Sequence, residues 1–156
     1  EIRMTENIDD TDRLILRALQ ADASESLEAL AARANISVNT CWRRVKRLEE
    51  SGLLMRRVAL VDPEKAGLGQ TVFVAIRTRD HSAGWLERFA KTVRAIPEVI
   101  EFYRMAGDVD YLLKVQVASV RDYDRVYRQL ITRIDLADVS ATFAMECIKN
   151  TTELPL

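Results

Sequence analysis

The spacing of apolar residues changes near residue 63, and this change constrains the fold more than any other feature of the sequence. Before it, apolar residues recur every three or four positions, as in amphipathic helices. After it, extended apolar runs such as Thr71–Thr78 alternate with helical patterns such as Trp85–Ala95. We therefore predict two small domains, at residues 5–62 and 71–156, joined by a linker at 63–70 that carries a proline and two glycines.

The first domain is predicted to contain three short helices. The first runs from about Thr11 to Ala21, behind a cluster of acidic and capping residues. Ser26 and Ser37 are suited to cap the second and third helices, and Asn35 between them tolerates left-handed dihedral angles. A short turn between two such helices is the geometry of a helix-turn-helix.

The third helix carries the residues expected to read DNA. The chain has a formal net charge of −1, but Arg33–Arg57 holds seven basic residues and two acidic ones, which is typical of a local nucleic-acid surface. Arginine suits guanine edges and asparagine suits adenine edges in the major groove. The predicted DNA-binding residues are Ser37, Asn39, Thr40, Arg43, Arg44, Lys46, Arg47, Arg56 and Arg57. The alternative is an ordinary solvated helix face.

Trp42 lies on the same helix and has two interpretations. Its ring either contacts the sugar-phosphate backbone or packs against the first helix. Packing is the interpretation that we favour, because apolar rings are more often buried than exposed.

The second domain is predicted to be ferredoxin-like. Strands at 71–78, 99–106, 111–118 and 139–148 alternate with two helices in the order βαββαβ, so both helices should cover one face of a four-stranded antiparallel sheet. The first strand is apolar on both of its faces, so its second face also needs a cover. The predicted fold class is α+β, with two copies packed sheet on sheet as a dimeric α/β sandwich.

A polar turn at Gly107–Tyr111 separates two apolar strands of this domain. Gly107 allows a ligand to approach the backbone closely, and free N–H groups there suit a carboxylate. Asp108 or Asp110 could accept hydrogen bonds from an ammonium group. These features fit a free amino acid. The alternative is an ordinary hairpin turn, which the turn taken by itself favours.

No catalytic, metal-binding or cofactor-binding pattern is present in the sequence. The single histidine, His81, has no matching nucleophile or metal partner, and Cys41 and Cys147 lie too far apart for a zinc motif. No apolar run is long enough to cross a bilayer, and the N-terminus does not resemble a signal peptide. We therefore predict a cytoplasmic protein that is not an enzyme and has neither a cofactor nor a membrane partner.

Several stretches resemble the Lrp/AsnC (feast/famine) family of transcription regulators. They are Asp9–Leu16 (DDTDRLIL), Ser37–Glu49 (SVNTCWRRVKRLE) and Gly107–Leu113 (GDVDYLL). The likeness runs from Ile8 to the end, in the same order and spacing. Two further stretches, Asp62–Gly69 and Phe143–Glu146, resemble the cysteine-responsive subgroup.

The resemblance implies a winged helix-turn-helix followed by an effector domain. It also implies dimers that assemble further, commonly to octamers, and that bind an amino acid, cysteine or another, between dimers. The implied effector-binding residues are Met105, Gly107, Asp108, Asp110 and Tyr111, with Thr142 contributed by a neighbouring subunit. In this chain Ile134–Ala137 replaces a Pro-Gly pair often seen in the family, which puts the ligand preference of that loop in doubt.

Three functions were weighed on these grounds. The leading hypothesis is a DNA-binding transcription regulator that responds to an amino acid. The first alternative is an architectural DNA-binding protein without an effector, which would bind with weak sequence preference and a steep dependence on salt. The second is an enzyme built on the ferredoxin-like domain, for which the sequence supplies no constellation of catalytic groups.

Overall fold

A computed structural model describes residues 7–133 and 135–156. The first two residues of the predicted helix-turn-helix domain, Thr5 and Glu6, and the loop residue Ile134 lie outside this range. The chain divides into two units. One comprises the described residues up to Ala59 together with Lys149–Leu156, and the other comprises Leu60–Ile148.

The first unit contains three helices, α1 (Asp10–Ala21), α2 (Leu27–Arg33) and α3 (Val38–Glu50). Each begins behind a capping side chain. Ser26 and Ser37 accept hydrogen bonds from backbone N–H groups of α2 and α3, as the sequence predicted. Asp9 caps α1 through a reciprocal capping box with Asp12.

The turn between α2 and α3 brings their apolar faces together. Asn35 has a φ of +52°, the left-handed conformation that the sequence predicted at this position. The buried core of the unit combines residues of α1 and α2 with one stripe of α3, and its members are Ile15, Leu16, Ala18, Leu19, Leu30, Ala31, Cys41, Val45 and Leu48. The predicted helix-turn-helix is confirmed.

The last eight residues associate with this unit and not with the second one, although the sequence assigned them to the second domain. The side-chain amide of Gln20 donates to the carbonyl of Leu154 (3.2 Å) and accepts from its N–H (2.6 Å). Leu156 packs against the core of the unit. A single leucine and one paired amide leave no periodic pattern, so this contact could not be predicted from the sequence.

The second unit contains β1 (Gln70–Arg77), α4 (Ala83–Arg94), β2 (Val99–Arg104), β3 (Tyr111–Val117), α5 (Val120–Arg133) and β4 (Asp138–Phe143). All neighbouring strands are antiparallel, and their order across the sheet is β2-β3-β1-β4. This order and connectivity confirm the predicted ferredoxin-like fold.

One face of the sheet is covered by the two helices. Alternate residues of β1, including Val72, Val74 and Ile76, are fully buried with Phe89 of α4 and Leu130 of α5. The opposite face has no cover within the described chain. It carries Phe73 (39% exposed) with Ala75, and opposite them on β3 lie Lys114 and Leu112.

The segment after α3 contains no strand, and the last predicted strand is shorter in the structure. Leu53–Val61 has no regular element, and side chains such as Met55 and Leu60 are largely exposed. The last strand ends at Phe143 and not at Ile148, because the strand β1 beside it begins at Gln70. Extended backbone forms a ladder only where a neighbouring strand supplies hydrogen bonds.

Candidate DNA-reading and effector sites

An exposed stripe runs along α3 on the side away from the core. Asn39, Trp42, Arg43 and Lys46 are spaced by three, one and three residues, so they share one side of the helix, and all four are exposed. Arg43 forms no ion pair with any residue that the structure describes. Its guanidinium is therefore available to an external acceptor.

Arg44 and Arg47, by contrast, are bound to α1. Asp12 is 1% exposed and lies 2.8 Å from Nη1 of Arg44 and 2.5 Å from Nη2 of Arg47. Nη1 of Arg44 also lies 2.7 Å from the carboxylate of Asp9. Hydrogen bonds from the backbone of Asp12 and from Arg44 lower the pKa of Asp9, and the two carboxylates raise the pKa of Arg44. The sequence signal for this cluster was the acidic run before α1, which we had interpreted only as a cap.

A concavity of about 350 Å³ lies between α1 and α3, lined by Asp9, Thr40, Arg43, Arg44 and Arg47. Three arginines around one hollow suit a phosphate group. The hydroxyls of Ser37 and Thr40 bond to each other at 2.8 Å, so both also serve the start of α3.

The last two predicted DNA-binding residues, Arg56 and Arg57, follow α3. Nη2 of Arg57 lies 3.2 Å from the carboxylate of Glu49, and both side chains are about half exposed. Arg56 is exposed and has no ion-pair partner among the described residues. Such an exposed pair contributes little to stability, so Arg57 can exchange Glu49 for a phosphate at small cost.

Trp42 does not pack against α1, and the interpretation that we favoured was wrong. Its side chain is 49% exposed and is not part of the core of the unit. Nζ of Lys46 lies 5.1 Å from the centroid of its ring, within cation–π range.

The predicted effector turn lies between β2 and β3. Gly107 has a φ of +126°, and a Cβ there would meet nothing within 4 Å, so the backbone itself requires glycine. Met105 and Asp108 are exposed beside it. The turn is closed by a hydrogen bond of 2.8 Å from the N–H of Met105 to the carbonyl of Asp110.

Two of the predicted effector residues are already engaged in the fold. The carboxylate of Asp110 accepts a hydrogen bond of 2.8 Å from the N–H of Thr78, and it lies 3.9 Å from Nδ1 of His81. Tyr111 is 3% exposed, and its ring meets the ring of Phe89 edge to face in the core. Gly107 and Asp108 are consequently the members of the turn best placed for a ligand.

Thr142 does not lie beside this turn within one subunit. It is exposed on β4 and is level with Phe73 of β1 and Lys114 of β3. Lys114 lies three residues beyond the start of β3, and Thr142 lies two strands across the sheet from Lys114. The rise along the strand and the spacing between strands together separate Thr142 from the turn by about 14 Å. A ligand that contacts both must therefore involve two subunits, as the resemblance implies.

Two concavities of the second unit lie away from the turn. One, of about 560 Å³, opens between the end of α5 and the start of β4. The other, of about 460 Å³, is lined by Arg79, Trp85 and Arg88. Among residues 7–133 and 135–156, no three His, Cys, Asp or Glu side chains form a metal site. None of the described helices is long and apolar enough to span a membrane.

Each of the two units matches a known protein family. Residues 8–55 match the model for winged helix-turn-helix DNA-binding domains, and residues 71–154 match the model for the Lrp/AsnC ligand-binding domain. A glutamate uptake regulatory protein of Zymomonas mobilis is 52% identical over 153 residues, which cover 98% of this chain and 93% of that protein.

Solved structures of other proteins are similar to this chain over nearly its whole length. An AsnC family transcriptional regulator from Agrobacterium tumefaciens is 52% identical with a TM-score of 0.92, covering 95% of this chain and 97% of that one. A transcriptional regulator from Neisseria meningitidis, solved in complex with L-Met, is 32% identical with a TM-score of 0.90, covering 96% and 97%. The chain belongs to the Lrp/AsnC family of DNA-binding transcription regulators.

Proposed function

We propose that this regulator reads its operator through the exposed stripe of α3 and changes its affinity for DNA when an amino acid binds at the Gly107 turn. The observation that carries the proposal is the difference between neighbouring arginines. Arg43 is exposed and unpaired among the described residues, whereas Arg44 is tied to Asp9 and Asp12. This difference, together with the place of Arg43 on the exposed stripe of α3, supports base reading by Arg43 and a place beside the DNA backbone for Arg44.

Arg43→Ala should relax sequence specificity at one base pair of each half-site. A bidentate contact between arginine and guanine is worth roughly 1–3 kcal/mol of discrimination, and alanine cannot replace it. The measurement is a binding titration on a selected operator and on a set of single-base variants at fixed salt concentration. The variant should bind the operator and one of its variants with equal affinity.

Arg56→Ala is the matched control, since Arg56 is also exposed and unpaired but follows α3. A phosphate contact positions the protein without reading sequence. Arg56→Ala should therefore weaken all sequences alike and lower the slope of binding against salt by about one charge. Uniform weakening by Arg43→Ala would contradict the assignment of Arg43.

The amino acid is proposed from two observations. The Gly107 turn offers open backbone beside the exposed carboxylate of Asp108, which together match the carboxylate and ammonium groups of an amino acid. The Neisseria meningitidis relative was solved with L-Met, which supports the same ligand class. The resemblance to the cysteine-responsive subgroup makes cysteine the first ligand to test.

Asp108→Ala should abolish the response to the effector. A ligand at about a hundred times its dissociation constant stabilises the folded state by about 2.7 kcal/mol, which a thermal-shift screen of the twenty amino acids would detect. The control is Asp124→Ala, which removes an exposed aspartate that lies on α5. This variant should keep the response. A response that survives in Asp108→Ala would move the site away from this turn.

Effector and operator should also influence each other equally. Binding linkage is reciprocal, so bound operator must change the affinity for the amino acid by the same factor that the amino acid changes the affinity for operator. Calorimetry with and without operator measures both. Equal affinities in the two titrations would remove the sensing link and favour the architectural alternative.

The free face of the sheet supports a homodimer. Phe73, Ala75 and Leu112 are neighbours across β1 and β3 on that face, and a self-complementary apolar patch is the usual basis of a two-fold dimer. A two-fold dimer predicts a pseudo-palindromic operator. Assembly of dimers to an octamer, with Thr142 of one copy near the turn of another, stays a prediction.

The family, whose members regulate transcription, supports a role other than catalysis. Cytoplasmic location is the matching proposal, because a regulator must reach the DNA that it controls. Purified protein should bind operator in a simple buffer without any added cofactor.

A further inference from the structure

Trp42 is an aromatic side chain in an unusual place. It is the one aromatic residue of α3. Half of its surface is exposed, whereas the apolar residues on the core side of the helix are buried. Val38, one turn earlier, is 41% exposed on the same flank. An exposed apolar strip beside a polar stripe indicates a contact that this single chain does not supply.

The charges around Trp42 define what it can contact. Arg43 and Lys46 lie on the same side of α3, and the ammonium of Lys46 covers one face of the indole ring at 5.1 Å. This contact limits the orientations of the ring, and Trp42 remains 49% exposed. The apolar surface is thus bordered by two cations, which suits an apolar group carried by a polyanion better than the apolar surface of a neutral protein.

We propose that the edge of the Trp42 ring contacts the 5-methyl group of a thymine in the major groove. Of the four bases, thymine is the one that presents a methyl group there, and aromatic side chains are among its partners. The inference rests on the proposed function, in which α3 enters the groove. It makes Trp42 a specificity-determining residue beside Arg43.

The spacing of the two residues predicts the sequence that they read. Trp42 and Arg43 are consecutive, so their Cα atoms are separated along the helix axis by about 1.5 Å, less than the 3.4 Å between base pairs. The thymine read by Trp42 should therefore lie in a base pair next to the G·C pair read by Arg43. Each operator half-site should contain a guanine with a thymine in a neighbouring base pair.

Deoxyuridine tests this contact at the level of one methyl group. The operator is first selected from random duplexes with the wild-type protein, and each thymine is then replaced in turn by deoxyuridine, which lacks only the 5-methyl group. In each half-site, one of these single replacements should weaken wild-type binding about fourfold, because the complex then loses the burial of one methyl group. Trp42→Ala should bind the thymine and deoxyuridine operators equally.

Two further variants keep the test independent of folding. Trp42→Gln also removes the ring while keeping a good helix former, and it too should lose the distinction between thymine and deoxyuridine. Arg56→Ala should keep the fourfold difference, because its side chain lies outside α3. Circular dichroism of each variant confirms that the helices remain formed.

Two results would overturn the proposal. In one, no thymine replacement weakens the wild-type protein. In the other, the penalty persists in both Trp42 variants. The proposed function has a separate readout, because its failure appears at the selection step, as an absence of any enriched sequence. A selected operator without a methyl-sensitive thymine would leave the function standing and reject only the role of Trp42.

Discussion

Asp12→Ala should destabilise the helix-turn-helix unit by about 2 kcal/mol. The substitution removes a buried carboxylate that binds the guanidinium groups of Arg44 and Arg47 and the N–H of Asp9. Breaking a fully buried ion pair costs roughly 3–5 kcal/mol. We expect less, because the Arg44 and Arg47 side chains are 28% and 48% exposed and can regain water. Two kilocalories is still a large share of the stability of a small helical unit.

The two tryptophans allow this effect to be measured by unit. Trp42 lies in the helix-turn-helix unit and Trp85 in the other, so denaturant unfolding followed by fluorescence in a Trp85→Phe background reports on Trp42 alone. Asp10→Ala is the control, since Asp10 is an exposed acidic residue in the same first turn. It should change stability by less than about 0.5 kcal/mol. Equal midpoints for the two variants would mean that the Asp12 cluster contributes nothing to stability.

Phe73→Glu should convert the proposed homodimer into a monomer. Two-fold symmetry places the substitution at the interface twice, and the loss of two buried aromatic side chains costs about 3 kcal/mol or more. Dissociation should therefore become at least about a hundred times easier. Lys114 lies directly opposite on β3, so the new carboxylate has a partner within the subunit and the fold should survive.

Ile131→Glu is the matched control for this change. Ile131 is 43% exposed, close to the 39% of Phe73, but it lies on α5 and not on the free face of the sheet. Sedimentation or light scattering at micromolar concentration should find the control dimeric and the Phe73 variant monomeric. A dimeric Phe73 variant would place the interface elsewhere.

The sequence by itself determined the features that depend on neighbours along the chain. The caps at Ser26 and Ser37, the left-handed Asn35 and the buried stripe of α3 all follow from residues a few positions apart. The order of strands and helices likewise follows from the apolar periodicity of each segment. Local signals of this kind need no knowledge of what each element packs against.

The roles of individual side chains depended on tertiary structure. Arg43 and Arg44 look equivalent in the sequence, yet Arg44 binds Asp9 and Asp12, 35 and 32 residues away. Trp42 was expected to pack against α1 but is half exposed, because the face that packs on the other helices belongs to Cys41, Val45 and Leu48. The angle at which two helices pack decides such contacts, and the sequence of one helix does not reveal that angle.

Long-range pairing also decided the effector site and the end of the chain. Strand register buries Tyr111 in the core, and it separates Thr142 from the Gly107 turn of the same subunit. The bonds of Gln20 to Leu154 join residues 134 positions apart. Whether a side chain is free to bind a ligand depends on which residues, distant in the sequence, it contacts. Only the tertiary structure determines those contacts.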